Sequence, residues 1–344
     1  MKKPVIGIRS VGIYLPKKKM TAKEISEATN GFWTEEAVID KLGIKQKYMP
    51  GDASVDGSQE MSAKAAKKAI KNAGIDPKEI DVILDITEEW KEYPLTTSAL
   101  YVQGEIGAVN AWGIDVQNRC CTAISALKMA KDMMIANDDI NTVLISGGYR
   151  NVDYVDYTDK PMSMMYNLGA GGGAIILQKG YNKNVLLESH IMADGTLART
   201  AGVEIGGQVN PINETNWKEA KKSLRLLDAQ KMKDRLNEVS MPNWMHCIDE
   251  SLRKSGYPRE EFSKNGYLAI LHIKRSGHLG MLKDLGLTED QAIYLEDYGH
   301  IGQIDQFLSL DLAVKQGKVK KGTIVCMIAA GIGYVWAANV IRWG

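Results

Sequence analysis

Apolar and polar positions alternate between two periods along this chain. The stretch VIGIRSVGIYL (5–15) is apolar and rich in β-branched residues, and reads as a strand. MSAKAAKKAIKNAGI (61–75) spaces its apolar residues for a helix and stops at Gly74. DVILDIT (81–87) predicts a short buried strand, TTSALYVQGEIGA (96–108) a helix, WGIDV (112–116) a strand, ISALKMAKDMMIAND (124–138) a helix and TVLISGGY (142–149) a strand. Two further apolar runs, GAGGGAIILQ (169–178) and NVLLESHIMADG (184–195), precede a second round of the same alternation. That round comprises a helix over 231–256, a strand at YLAILHI (267–273), helices over 276–287 and 301–317, and terminal strands at 323–331 and 335–343.

Strands alternating with helices predict an α/β fold whose sheets are covered by helices. The halves 1–180 and 181–344 carry similar element orders, which suggests two βαβ-rich halves without a residue-level repeat. The segment 196–217 is rich in turn residues and weak in periodicity, and predicts a long loop near a site. Composition narrows the function. A net charge of +1 argues against a phosphate-neutralising nucleic-acid binder. No apolar run reaches the roughly 18 residues of a membrane span. The N-terminal residues read as a first strand and not as a signal peptide, so the expected compartment is the cytoplasm. Cys120, Cys121, Cys247 and Cys326 are too few and too scattered for a disulfide framework or a zinc site.

The remaining chemistry gathers where strands give way to helices. Cys120 and Cys121 follow the strand WGIDV and precede a helix, whose N-terminus favours a thiolate. A tightly packed turn explains the pair equally well. His272 closes YLAILH, and His300 lies between DYG and the helix IGQIDQFLSLDLA. Ligands of α/β sheets bind outside the carboxyl ends of strands, so these three positions are candidates to converge. A cysteine with two histidines suits acyl transfer. His246 and His278 lie within predicted helices and read as structural. GAGGGA (169–174) lacks the following helix of a dinucleotide fingerprint and reads as close backbone packing. GIGYVW (331–336) is a glycine turn whose Gly331 and Gly333 are candidates to offer a backbone N–H to an oxyanion.

In KLGIKQK (41–47), IDVQNRC (114–120), ADG (193–195), the strand-terminal His272 and the tail from YGHIGQIDQFLSLDLA through GIGYVWAANVIRW, the chain resembles the thiolase superfamily, and within it the ketoacyl-ACP synthase III group. The resemblance spans nearly the whole chain. It implies a thiolase fold of α-β-α-β-α layers and a homodimer. The implied activity is a condensing acyltransferase acting on acyl thioesters of coenzyme A or acyl carrier protein, with no resident cofactor or metal and no nucleic-acid or membrane partner. Matching position by position, the nucleophile falls on Cys120, five residues after Asp115, and the family histidine on His272. His300 stands where the group has asparagine, and Arg275 replaces the asparagine of its PHQAN motif. Arg275, Gly331 and Gly333 are therefore the candidates for binding the thioester substrate, although the Trp and Arg that grip the coenzyme A adenine have no clear match near WTEEAVIDKLGI. Cys326 lies within a buried-type strand and reads as core.

One feature resembles hydroxymethylglutaryl-CoA synthase. Glu88 precedes Cys120 by 32 residues, behind a short apolar strand, as that enzyme's general-base glutamate does. This implies an aldol-type condensation as an alternative, with Glu89 as a second candidate acid; both also fit a helix-start role. A non-catalytic partner subunit of a heteromeric condensing enzyme is the reading from another class.

Overall fold

The computed structural model describes residues 3–344. Nine strands form one mixed sheet, ordered Gly266–Ile270, Ile324–Gly331, Val335–Arg342, Val185–Ala193, Ile6–Tyr14, Gly171–Lys179, Thr142–Tyr149, Val82–Asp85, Trp112–Asp115. The first four come from the second half of the chain and the last five from the first half. Between these two sections the strand pairing is narrow: Gly7 opposite Val185 is the one registered pair. Val82–Asp85 runs parallel to both of its neighbours, and Gly266–Ile270 runs parallel to Ile324–Gly331. Val82–Asp85 and Gly266–Ile270 are short and buried at every position, as expected of strands covered on both faces.

Two helices lie between the sections. Thr122–Ala136 touches Val185–Ala193 and Val335–Arg342 on one side and Thr142–Tyr149 on the other. Asp305–Lys315 touches Gly266–Ile270 and Ile324–Gly331 as well as Ile6–Tyr14 and Gly171–Lys179. Both bury residues around most of their circumference, such as Ala123, Ile124, Ala126 and Leu127 in one and Phe307, Leu308 and Leu310 in the other. A helix apolar on nearly every face belongs inside a core. Outer helices complete the layers. Ser58–Ala73 covers the strands of the first half, and Ala229–Ser255 covers those of the second. The result is the α-β-α-β-α stack of a thiolase fold.

The outer helix Ser58–Ala73 owes its close seat to small residues on both partners. Its inward face is Ala63, Ala65, Ala66 and Ala69, all buried. Opposite, a Cβ on Gly148 would lie 1.9 Å from the Ser58 carbonyl oxygen, and one on Gly172 would lie 2.2 Å from that of Met61. The glycine-rich run 169–174 is thus a packing surface.

Most expected elements form within a few residues of their expected ends. Between the helix at 276–287 and the one at 301–317 the chain is largely irregular, with an isolated bridge at Ala292. A two-stranded antiparallel sheet of Lys18–Thr21 with Gln46–Met49 has no counterpart in the periodicity. The segment 196–217 is largely irregular, tied at its ends by the strand pair Ala201–Val203 and Leu224–Leu226. Among the described residues no helix is long and apolar enough to cross a membrane.

Gly172→Ala should destabilise the protein by about 1–3 kcal/mol, the range for overpacking a close-packed core. The measurement is urea unfolding against the wild type; an unchanged midpoint would mean that helix and sheet separate without strain.

Candidate active site

Strand Trp112–Asp115 leads into a tight turn, Arg119–Cys121, and then directly into the central helix Thr122–Ala136. Asp115 at the strand end caps another helix, accepting from the N–H groups of Ser98 and Ala99 at 2.9 Å each. Arg119 adopts a left-handed φ of 53°, a costly conformation for a side chain of this size. Gly331 makes room for it: a Cβ there would sit 2.9 Å from the Arg119 Cβ and 3.0 Å from the Asn118 carbonyl oxygen. This turn separates the two vicinal cysteines. Cys120 is partly exposed. Cys121 points into the core with its thiol toward the Val335 carbonyl at 3.4 Å, and burial drives its pKa well above the ordinary value. Cys326 is buried within its strand.

The other central helix, Asp305–Lys315, supplies the second half of the site. Just before it, His300 is held by an isolated bridge to Leu168: its N–H donates to the Asn167 carbonyl at 2.8 Å, and its carbonyl accepts from Gly169 N–H at 2.8 Å. Its ring spans two partners. Nε2 lies 3.3 Å from Cys120 Sγ, and Nδ1 lies 2.6 Å from Asp305 Oδ2. Asp305 is fully buried and accepts two backbone N–H groups as well, from His272 at 2.8 Å and Ile301 at 2.7 Å. Burial opposes a charge on His300, but Asp305 and the Cys120 sulfur outweigh it and hold its pKa well above the ordinary value. The arrangement is a cysteine, a histidine and an orienting carboxylate in line, the logic of an activated nucleophile.

His272 is placed differently. Its Nε2 faces the Gly43 carbonyl at 3.0 Å, and its Nδ1 faces the Asn167 amide nitrogen at 3.0 Å. A carbonyl only accepts, so Nε2 carries the proton, Nδ1 is the lone pair, and Asn167 donates through its NH2. Burial lowers the His272 pKa to about 4, so the ring is neutral. Both ring nitrogens are therefore taken by groups other than Cys120. His272 stands behind the Cys120–His300 pair and reaches it through its backbone N–H on Asp305.

Glu88 is buried beside the pair. Its Oε2 accepts from Asn151 Nδ2 at 2.6 Å and lies 3.9 Å from Arg119, while Oε1 is buried with no partner among the described residues. Burial raises its pKa, with Arg119 partly opposing. Burial would also raise Glu89, but its ion pair with Arg119 wins and lowers it. Tyr149, another buried neighbour, has its ring centroid 6.3 Å from that of His300. Arg275 is partly exposed, paired with Glu296 at 3.3 Å and Glu289 at 3.6 Å, and lies over the Tyr294 ring. Gly333 has φ +129° with open space around it, and the Tyr334 that follows exchanges backbone hydrogen bonds with Asp194. No group of three or more metal-ligating side chains is present among the described residues.

Two family models match the chain in tandem: 3-oxoacyl-[acyl-carrier-protein] synthase III over residues 114–195, and its C-terminal part over residues 252–343. The chain belongs to the ketoacyl-ACP synthase III-like condensing enzymes of the thiolase superfamily. It is similar to the β-ketoacyl-[acyl-carrier-protein] synthase III of Aquifex aeolicus, 26% identical over 340 residues that cover 98% of this chain and 99% of the relative. The synthase III of Campylobacter jejuni (strain RM1221) is 23% identical over 343 residues, covering 98% of each. The crystal structure of the Aquifex aeolicus synthase superposes with a TM-score of 0.82 at 23% identity, covering 98% of this chain and all of the other. Like other synthase III-like enzymes, this protein is an acyltransferase of the carbon–carbon condensing type.

Asp305, Asn167, Asn151 and Tyr149 escape a reading of the sequence. Asp305 had a signal: it lies five residues after His300, but an acid opening a helix has an ordinary explanation. The asparagines and Tyr149 carry no pattern of their own.

Asp305→Asn should lower the proton affinity of His300 and slow Cys120 alkylation by iodoacetamide about 10- to 100-fold, the worth of a hydrogen bond to a charged group. Histidine NMR titration and alkylation kinetics check this; unchanged values would remove Asp305 from the relay. A second expectation concerns stability. His272 and His278 are both lowered to about 4 by burial, so the unfolded chain binds their protons first as pH falls below about 6.5. Each should cost about 1.4 kcal/mol of stability per pH unit between those values. His300, with a raised pKa, acts in the opposite sense: its contribution is complete below about 6.5 and is lost as pH rises through its folded value. Replacing His278 with Phe should flatten the acid-side slope of a urea-midpoint against pH curve.

Proposed function

We propose that Cys120 accepts the acyl group of a thioester and passes it to carbon. The contact that supports this reading is the line from Cys120 Sγ through His300 to Asp305. The thiolate attacks the thioester carbonyl, the carrier sulfur leaves, and His300 Nε2 supplies the proton that the departing thiol needs. In this reading backbone N–H groups at the turn and helix start hold the tetrahedral oxyanion, with the Gly331–Gly333 turn as the further candidate. A carboxylated donor thioester then loses CO2, and its enolate carbon attacks the acyl carbon. The acyl–sulfur bond breaks, Cys120 returns to the thiolate, and a β-keto thioester leaves. In this reading His300, its Nε2 reprotonated from solvent after the first thiol departs, donates to the donor enolate, and His272 supports it through Asp305 and Asn167.

Glu88 favours a second reading of the donor step. Its unpartnered Oε1 and raised pKa suit a base that removes an α-proton from a donor without a carboxyl group. Coenzyme A and acyl carrier protein are the proposed carriers. Arg275 is less suited than the sequence suggests, because two glutamates already engage its guanidinium. The proposed assembly is a homodimer through the free edge of Trp112–Asp115, where Trp112, Ile114 and the nearby Leu95, Leu100 and Val109 are exposed.

Intact-protein mass after incubation with acyl-CoAs should show one acyl adduct, mapped to Cys120 and absent in Cys120→Ala. An adduct persisting on Cys121 would overturn the assignment. Malonyl-CoA should discharge the adduct with release of CO2. Discharge by acetyl-CoA alone, with deuterium exchange at its methyl group that Glu88→Gln abolishes, would favour the second reading. Ile114→Lys should convert the dimer to monomer in sedimentation; a wild-type monomer would refute the interface.

A further inference from the structure

Lys47 is the largest charge-bearing side chain with no exposure to solvent. Burial drives its pKa well below the ordinary value, and no carboxylate contributes to its surroundings. A buried amine without an anion is costly and is kept only where its hydrogen bonds are complete. Here they are: Nζ donates to the Tyr166 carbonyl at 2.6 Å, to the Leu168 carbonyl at 2.7 Å and to Tyr157 Oη at 2.6 Å. Tyr157 also offers its ring, with Nζ 4.9 Å from the centroid.

The two carbonyls belong to the residues on either side of Asn167. The carbonyl of Asn167 receives the His300 N–H at 2.8 Å, and its side chain fixes His272 Nδ1 at 3.0 Å. Holding the 166–167 and 168–169 peptide groups therefore braces the segment around the residue that both histidines lean on. The rest of the segment holds the same surroundings. Gly43 holds His272 Nε2 at 3.0 Å, Tyr48 N–H donates to the Tyr298 carbonyl at 3.1 Å, and the Tyr48 carbonyl accepts from Ala170 N–H at 2.9 Å. The lysine stem also shapes the turn that leads to His300. Gly299 has φ +81°, and a Cβ there would fall 2.7 Å from the Lys47 Cβ and 2.9 Å from the Asn167 carbonyl oxygen. His300 is thus gripped from two sides by groups that Lys47 places.

We propose that Lys47 is a positioning residue of the active site: through Asn167 it sets the orientation of His300 against Cys120. The ammonium touches neither the thiol nor either imidazole; it acts through the 166–168 backbone. The inference rests on the proposed role of His300 as the proton partner of Cys120, and it explains why a lysine occupies a site where an apolar side chain would escape the desolvation cost.

The experiment compares wild type, Lys47→Met, Lys47→Arg and Asn167→Ala for the pH dependence of Cys120 alkylation by iodoacetamide, which needs no substrate. Thermal unfolding and steady-state condensation kinetics accompany it. Lys47→Met should lower both the alkylation rate and kcat about 10- to 100-fold, as expected for a misplaced catalytic group, with KM little changed and the pH midpoint of alkylation moved. Lys47→Arg, which keeps hydrogen-bond donors at this position, should retain the wild-type midpoint. A Lys47→Met protein that loses thermal stability yet alkylates with the wild-type rate and midpoint would overturn the proposal and leave Lys47 a structural strut. If Lys47→Met does not fold, Asn167→Ala decides. It keeps the ammonium and its three acceptors, so a wild-type alkylation profile there would equally refute the path through Asn167, and a shifted profile would support it. Failure of condensation in a wild type whose Cys120 still alkylates selectively would refute the proposed function, a result separate from any variant's alkylation profile.

Discussion

A carboxylate sealed from water must find its hydrogen bonds within the protein, and Asp305 finds all of them in one place. It accepts from the His300 ring, the His272 backbone and the Ile301 backbone. It also opens a helix, where exposed N–H groups and the helix dipole favour a negative charge. Removing any of these donors would leave a buried anion short of partners, so the strand end at His272, the turn at His300 and the helix start are fixed relative to one another. The electrostatics of the site follow. A neutral His272 and a proton-rich His300 sit within one network because the carboxylate bonds one ring directly and touches the other only through its backbone.

The Cys120 side of the candidate site is built by the same architectural device. Each central helix follows a turn that carries one member of the Cys120–His300 contact. Burying both helices between sheet sections brings their N-termini together and removes bulk water from around them. The strained φ of Arg119 belongs to this arrangement. It turns Cys120 toward His300 while sending Cys121 into the apolar core, and Gly331 leaves the space that the strained turn needs.

Much of the fold is legible in the sequence because the signals are local. Period, turn residues and the glycine stop at Gly74 place nearly every long element. Cys120 and His300 are legible for a related reason: each sits at a strand-to-helix junction, which the same pattern marks. What stays hidden is set by distant contacts. Nothing in KLGIKQK distinguishes Lys47, wholly buried, from Lys45, which pairs with Glu296 at the surface. His272 looks like a partner for the cysteine until the Gly43 carbonyl, 229 residues earlier in the chain, claims its ring proton. Asp305 and Glu88 show the same ambiguity from opposite ends: acids beside helix starts have a bland explanation, and only burial separates the ones that matter.

The reactive sulfur and its histidine come from opposite halves of the chain, and the sheet sections that carry those halves share a single registered residue pair at Gly7 and Val185. The contact between Cys120 and His300 therefore depends on how the two halves pack and not on either half alone. A polypeptide with only one half consolidated, as during synthesis on the ribosome, holds a cysteine without its histidine or a histidine without its cysteine. Under the proposed function, acyl transfer therefore requires both halves to be packed together.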